Sequence, residues 1–318
     1  VDIGGTKVLG VALAAGRDLV GEARVATPHG TDPDSPVGAN VADAVAQVVQ
    51  ALRRDTGAGT EAPVGVGAPG MLDRRGQLVF PPNLRGATGA RFGPLVAERL
   101  PGTPVVVEND ANCAVLAEHD LGAGVGCPEL LLVTLGTGIG GGILMRDRVV
   151  LGGSGFAGEI GHMVVDPGGP LCPCGRRGCW ERFASGSGLG RLAREAAVAG
   201  RLARVTGLAG GDPEAVRGEH VTRAAREGDR EARAVFDQLG WWVALGLTNL
   251  VAVVDPARIL LGGGLAEAGD LVLGPTRTAF AQLVEGGTAR PPVEIVTAAL
   301  GERAGAVGAA LAAGRGGL

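Results

Sequence analysis

Three cysteines in the run Cys172-Pro-Cys174-Gly-Arg-Arg-Gly-Cys179, with His162 ten residues before the first, place three thiols and an imidazole where one small cation could gather them. Three sulfurs and one nitrogen suit a closed tetrahedral zinc set, and Gly175 and Gly178 let the backbone turn tightly enough for the sulfurs to converge. Four protein ligands leave no open position, so the reading is a structural ion; the alternative is one disulfide with a spare thiol. A second constellation, Glu108-Asn109-Asp110-Ala-Asn112, ends an apolar run. A carboxylate flanked by carboxamides at a strand end can hold hydroxyl groups while it accepts a proton, although Asp110 or Asn109 could equally do no more than cap the helix beginning near Ala111. A third consists of glycine turns: Asp2-Ile-Gly-Gly-Thr-Lys7, Leu135-Gly-Thr-Gly-Ile-Gly-Gly-Gly142 and Leu261-Gly-Gly-Gly-Leu265. Such turns expose backbone N–H groups to phosphate oxygens, and the Thr6 and Thr137 hydroxyls add donors.

The elements that must position these groups follow from periodicity. Strands are expected at Val1–Ile3, Val8–Ala14 and Leu19–Thr27, then a helix from near Ser35 with Val41, Val45, Val48, Val49 and Leu52 on one face. Further strands at Val64–Ala68, Leu78–Phe80 and Val105–Glu108, with a helix over about 92–100, complete one α/β unit. The pattern of strand, glycine turn and returning strand then recurs at Leu130–Leu135 and Gly141–Met145, followed by a strand at Val149–Leu151, which reads as an internal duplication. Gly136, Gly138 and Gly141 also satisfy GxGxxG, but a dinucleotide site needs a helix next, and the residues after Gly142 read as the second arm of a hairpin. Helices follow at about 189–200, 221–227, 230–254, 271–284 and 304–313, with strands at 258–261 and 293–296.

Composition removes several function classes. The chain has 318 residues, 46 % hydrophobic and 19 % charged, with a net charge of −4, so no basic surplus holds nucleic acid by counterion release. Among its 29 basic residues only Lys7 is a lysine, and Lys7 lies between Thr6 and Val8. Walker A chemistry, which needs a Gly-Lys-Ser/Thr run, is therefore absent, as are the companion motifs of protein kinases. The longest apolar run, Trp241–Val254, is shorter than a bilayer span and contains Thr248 and Asn249, so no membrane association is expected. The supplied N-terminus does not read as a signal peptide, and the cysteines form neither an even nor a dispersed set. A reducing cytoplasm is the expected compartment.

In sequence order, DIGGTK, GAPGMLD, PPN, ENDAN, TLGTGIGGG, GEIGH, CPCGRRGCWE and LLGGGL cover essentially the whole chain. This set resembles the sugar-kinase, hexokinase and actin-like ATPases and, more narrowly, the ROK family; CxCGxxGCxE with an upstream GExGH is that family's specific mark. The resemblance implies an α/β fold of two actin-like (ribonuclease H-like) domains with a sugar/ATP cleft between them. The boundaries expected are 1–109, with a C-terminal helix at about 301–318 packing back on it, and 110–300, which carries the zinc loop. It implies ATP-dependent phosphorylation of a hexose, glucose first among them, as in glycolysis. N-acetylmannosamine, N-acetylglucosamine and fructose kinases are alternatives within the family. A sugar-responsive repressor is a further one, disfavoured because no helix-turn-helix segment precedes the DIGGTK strand in the chain supplied.

Carried over residue by residue, the resemblance makes Asp110 the base that takes the proton of the sugar's 6-hydroxyl. Gly70, Asn83, Asn109, Glu159, His162 and Glu181 join Asp110 in the sugar pocket, His162 serving zinc as well, with Cys172, Cys174 and Cys179 as the other metal ligands. Asp2, Gly4, Gly5, Thr6 and Lys7, with Gly136, Thr137 and Gly138, would hold the ATP phosphates, Asp2 near Mg²⁺, and Gly263 and Gly264 would lie by the adenosine. A homodimer or homotetramer is the implied assembly. His29, His119 and His220 suggest surface or capping roles, Cys113 and Cys127 small hydrophobes, and Arg176 and Arg177 a solvated loop tip. Of Trp241 and Trp242, one reads as core and the other as partly exposed or a subunit contact.

Overall fold

The computed structural model describes the chain apart from residues 16, 29–36, 81–83 and 85. Its elements in order are β1 (Asp2–Ile3), β2 (Lys7–Leu13), β3 (Leu19–Ala26), α1 (Val37–Thr56), β4 (Val64–Ala68), β5 (Met71–Leu72), β6 (Leu78–Phe80), α2 (Phe92–Arg99), β7 (Val105–Asn109) and α3 (Asp110–Leu121). Next come β8 (Glu129–Leu135), β9 (Ile139–Met145), β10 (Arg148–Val149), α4 (Glu181–Ala184), α5 (Gly186–Val198), α6 (Ala203–Leu208), α7 (Gly218–Arg226) and α8 (Arg230–Val254). The chain closes with β11 (Arg258–Gly262), α9 (Asp270–Leu283), β12 (Glu294–Thr297) and α10 (Ala304–Arg315).

Two five-stranded sheets run β3-β2-β1-β4-β7 and β10-β9-β8-β11-β12, so each places its strands in the order third, second, first, fourth, fifth. The duplication expected from the two hairpins therefore extends to the whole sheet. β9 continues directly out of the glycine turn, and the helix that a dinucleotide fingerprint requires is not there.

The chain divides into two compact units, one of Val1–Leu130, Gly142–Gly158 and Ala299–Leu318, the other of Leu131–Gly141 and Glu159–Ala298. In the first, β1 pairs antiparallel with β2 and parallel with β4, and β4 pairs parallel with β7. The α1 stripe of Val41, Val45, Val48, Val49 and Leu52 is buried in one core cluster with Ile3, Val8, Val66 and Phe92. Ser35, where this helix was expected to begin, lies outside the described residues. A second cluster joins Leu9 and Val11 to Leu116 of α3 and to Ala306, Val307 and Leu311 of α10.

The expected boundary after residue 109 is thus misplaced. α3 packs on α10 and on β4, and this apolar contact keeps residues 110–130 in the first unit. The fully buried Glu118 reinforces it, accepting the backbone N–H groups of Ala123 (2.9 Å), Ala299 (3.0 Å) and Leu300 (2.7 Å). A buried carboxylate is tolerated there because it is saturated with donors.

In the second unit α8 is long and apolar enough, by length and composition alone, to cross a membrane. It is instead a core helix, packed against α9, α7, α5 and α4 with Val235, Phe236, Leu239, Val243, Leu247 and Leu250 buried. α6, short and entered through Leu202 in the left-handed region (φ 62°), was not anticipated; its run of Ala, Arg, Val, Thr and Gly carries too little periodic signal.

Candidate active site and metal cluster

In the first unit the site grows from the junction of β7 and α3. Asn109 is extended at φ −67°, ψ 142°, and its Oδ1 accepts the N–H groups of Ala111 and Asn112, both at 3.0 Å. Asn109 is therefore the helix cap, and its Nδ2 donates to the Gly70 carbonyl at 3.1 Å. This leaves the cap to Asn109, while the Asp110 Oδ1 accepts the adjacent Ala111 N–H at 2.8 Å and its carboxylate is also bonded by the Asn109 side chain. Of the two alternatives left open by the sequence, capping belongs to Asn109 and the chemically available carboxylate is Asp110. Burial pushes the Asp110 carboxyl up to about 6, against the downward pull of its hydrogen bonds.

Asp2, on β1, is the second acid of this unit. A side chain on Gly67 of β4 would stand 3.2 Å from Asp2 Oδ1 and 3.5 Å from the Asp110 Cα, which puts the two acids on either side of one backbone position. Asp2 Oδ1 is buried without a hydrogen-bond partner, and burial, with the Asp110 charge second, raises its carboxyl to about 7. An acceptor of this kind suits a hydrated divalent cation.

The first glycine turn closes through the Gly4 N–H on the Lys7 carbonyl (2.9 Å), and the Thr27 hydroxyl donates to the Gly4 carbonyl (2.7 Å). Gly5 and Thr6 are exposed. Lys7, expected to serve phosphate, is instead ion-paired to Glu302, which also lies 3.6 Å from Arg24. Asn83 and His29 lie outside the described residues.

In the second unit the four expected metal ligands converge: the donor atoms of His162, Cys172, Cys174 and Cys179 all lie within 4.8 Å of one another. The donor set, three thiols and one imidazole, fits tetrahedral zinc. Gly178 (φ 72°) makes this possible, since a Cβ there would lie 1.5 Å from the Asp166 carbonyl oxygen. Arg176 is more than a solvated tip, because it donates to the His162 carbonyl at 2.7 Å and ties the loop to its fourth ligand.

His162 Nδ1 is 3.7 Å from both Cys172 Sγ and Glu181 Oε1, while Nε2 is 4.0 Å from Glu159 Oε2. One edge of the ring therefore meets Cys172 and Glu181, and the other Glu159. Cys172 also donates to Glu181 Oε1 at 3.0 Å, and burial, followed by this bond, raises its thiol far above the ordinary range. A bound cation would reverse that, since thiolate is the ligating form.

The loop is anchored just beyond its last ligand. Trp180 is fully buried and its Nε1 donates to the Trp242 carbonyl of α8 at 2.7 Å. Gly246 of α8 provides the space, because a Cβ there would lie 2.0 Å from the Trp180 ring. Glu181 follows at the start of α4, and a Cβ on Gly138 would stand 2.5 Å from its Oε2, so the second glycine turn and this carboxylate adjoin. That turn is fixed by the Gly136 N–H on the Gly138 carbonyl (3.0 Å) and the Gly186 N–H on the Gly136 carbonyl (2.8 Å).

Gly136, Thr137 and Gly264 line one open cavity of about 1240 Å³ together with Arg182, Arg191, Arg194, Arg217, Arg223 and Arg226. Gly263, in the left-handed region at φ 81°, brings this third glycine turn against the Leu135 backbone. The arginine wall was not foreseen: its members are scattered over α4, α5 and α7 with no common motif. Arg182 Nε and Arg191 Nη2 are buried without a hydrogen-bond partner among the described residues. His220 plays the capping role expected, its Nδ1 accepting the Arg217 N–H at 3.2 Å. His119 pairs with Asp120 (3.0 Å) and Asp147 (3.1 Å).

The model of the ROK family matches residues 1–315. The glucokinase of Streptomyces coelicolor is 39 % identical over 98 % of this chain and 95 % of its own. A ROK family glucokinase from Streptomyces griseus, solved in complex with glucose and AMPPNP, is 38 % identical with a TM-score of 0.85, covering 99 % of this chain and 98 % of its own. The ROK hexokinase of Thermus thermophilus is 34 % identical with a TM-score of 0.78, covering 99 % and 97 %.

Proposed function

The chain belongs to the ROK family, and on that premise we propose how it acts as an ATP-dependent hexose kinase, converting glucose to glucose 6-phosphate. The observation that carries the mechanism is Asp110: a carboxylate at the end of a strand, freed from capping by Asn109, with its pKa raised to about 6. Such a base is ionised at neutral pH yet basic enough to take the proton of the 6-hydroxyl as its oxygen attacks the γ-phosphorus. In the second unit Glu159, His162 and Glu181 are the groups that would accept from and donate to the other hydroxyls, and Gly70 is a candidate in the first.

In the second unit the N–H groups of Gly136, Thr137 and Gly138 are the donors for the ATP phosphates, and in the first the Gly4, Gly5 and Thr6 turn offers the same chemistry. Gly263 and Gly264 stand by the adenosine, and the arginine wall supports the phosphate-donor site. Preorganised N–H donors and guanidinium groups supply the charge neutralisation that a Walker lysine gives elsewhere. Asp2, with its unpartnered buried oxygen, would hold Mg²⁺, which neutralises charge on the phosphates when bound. Zinc on His162, Cys172, Cys174 and Cys179 would fix the loop between Glu159 and Glu181 so that both carboxylates keep their geometry. A thiolate cluster of this kind supports a reducing cytoplasmic location. Trp241, 40 % exposed on α8, is a candidate contact for a homodimer or homotetramer.

A panel of glucose, fructose, mannose, N-acetylglucosamine and N-acetylmannosamine with MgATP, read as ADP release, tests the assignment. Glucose is expected to give the highest kcat/KM. A preference for an N-acetyl sugar would move the chain within its family, and sugar binding without turnover would favour the repressor reading.

A further inference from the structure

Asn109, expected to hold the sugar, has little left to offer as an acceptor. Both lone-pair directions of its Oδ1 are taken by the Ala111 and Asn112 N–H groups, and one of its two amide hydrogens goes to the Gly70 carbonyl. Its amide also bonds the Asp110 carboxylate, and its oxygen can accept nothing further. A sugar hydroxyl both donates and accepts, so a pocket that grips it needs an acceptor beside the base.

In the first unit one residue outside the expected set offers such an acceptor. Asn112, in the first turn of α3 and two positions beyond Asp110, is 2 % exposed, and its Oδ1 is buried without a hydrogen-bond donor among the described residues. It lines a cavity of about 130 Å³ whose wall also includes Asp73, Arg74, Glu108, Asn109 and Leu151, with the Arg74 guanidinium committed to the Gly152 carbonyl. A buried amide oxygen left without a donor is unfavourable, and Leu is nearly isosteric with Asn, so retaining the amide there calls for a donor that arrives from outside. The volume corresponds to roughly four water molecules, enough for the hydroxyl-bearing edge of a sugar ring and too little for the whole of it.

We propose that Asn112 is a further substrate-binding residue, its Oδ1 accepting a hydrogen bond from one hydroxyl of the sugar. The inference rests on the kinase reading above and adds a specificity determinant to it. The shared chemistry of the occupant is an O–H donor, which a resident water could also supply, and the test separates the two.

Asn112→Leu removes the acceptor at nearly constant volume. If the hydroxyl comes from the sugar, KM for glucose rises by about 10- to 100-fold while KM for ATP stays within about twofold, and Tm holds or rises because an unpartnered polar atom has gone. Glucose analogues lacking the 2-, 3- or 4-hydroxyl then identify the donor. One of them is bound worse than glucose by the native enzyme and no worse than glucose by the Leu variant. Asn112→Asp, which keeps an acceptor oxygen, restores discrimination against that same analogue. Should the Leu variant fail to fold, Asn112→Ala is read in the same way.

A native KM for glucose in the folded variant, or an unchanged pattern across the analogues, assigns the cavity to water and overturns the proposal. The kinase reading fails separately, by absence of turnover in the native enzyme on any sugar.

Discussion

The two units each carry acidic side chains at a candidate site but hold them by different means. Asp110 and Asp2 sit at the ends of regular strands, and their geometry follows from β-sheet register, a helix cap and burial beneath α10. Glu159 and Glu181 flank a loop with scarcely any regular structure, held by two isolated β-bridges, Val164 with Cys179 and Leu171 with Arg177. There a four-residue donor set and one buried tryptophan replace the missing hydrogen-bond ladder. Secondary structure alone thus suffices for a carboxylate at a strand end, whereas a loop needs a cross-link before its side chains are precise enough for recognition.

The largest effect is expected on the side held by secondary structure. Asp110→Asn should lower kcat by about 10²–10⁴-fold with glucose affinity largely kept, measured by coupled assay and calorimetric titration. The same variant should be more stable than the native protein at pH 8. A carboxyl whose folded pKa is raised favours the folded state while protonated and loses that contribution as pH rises through about 6, and the amide has no charge to bury. Greater stability with lost turnover marks a group kept for chemistry.

On the cross-linked side, Cys174→Ser should release the metal and raise KM for glucose by about tenfold or more, with a fall in Tm. Metal analysis showing one equivalent retained alongside native kinetics would remove zinc from the comparison. Gly246→Ala is subtler, because the added methyl collides with Trp180 and should cost about 1–3 kcal/mol, seen as a lower denaturant midpoint, before any ligand is touched. If it also weakens glucose binding, the anchor and the metal act on the same loop. The smallest effect belongs to Lys7. Its partner is Glu302 on the surface, so Lys7→Arg should leave kcat and KM for ATP within about twofold.

What the sequence conveyed was local. The three cysteines and histidine, the acid-amide motif around Asp110 and the glycine turns lie within short runs whose spacing encodes their geometry, and α1 and α8 announce themselves by periodicity. Asn109 and Asp110 could not be told apart, because which of two adjacent polar residues caps a helix depends on backbone angles at the strand end. The ion pair of Lys7 with Glu302, 295 positions away, also leaves no trace in the local run. Trp180 and Gly246, the arginine wall and the clamp of Glu118 on Ala299 and Leu300 are likewise products of tertiary contact, with no spacing to reveal them. The misplaced boundary at residue 109 has the same origin: α3 follows β7 directly, and only its packing on α10 shows which unit owns it.

The central claim is that Asp110 is the base, and the pH dependence of kcat/KM for glucose tests it most directly. The base must be ionised, so activity is lost as pH falls through its pKa in the free enzyme. A limb falling about tenfold per pH unit below roughly pH 6, with native structure kept by circular dichroism and the limb absent from the residual activity of Asp110→Asn, is the result expected. A limb unchanged in that variant, or none above pH 4.5, would contradict the assignment.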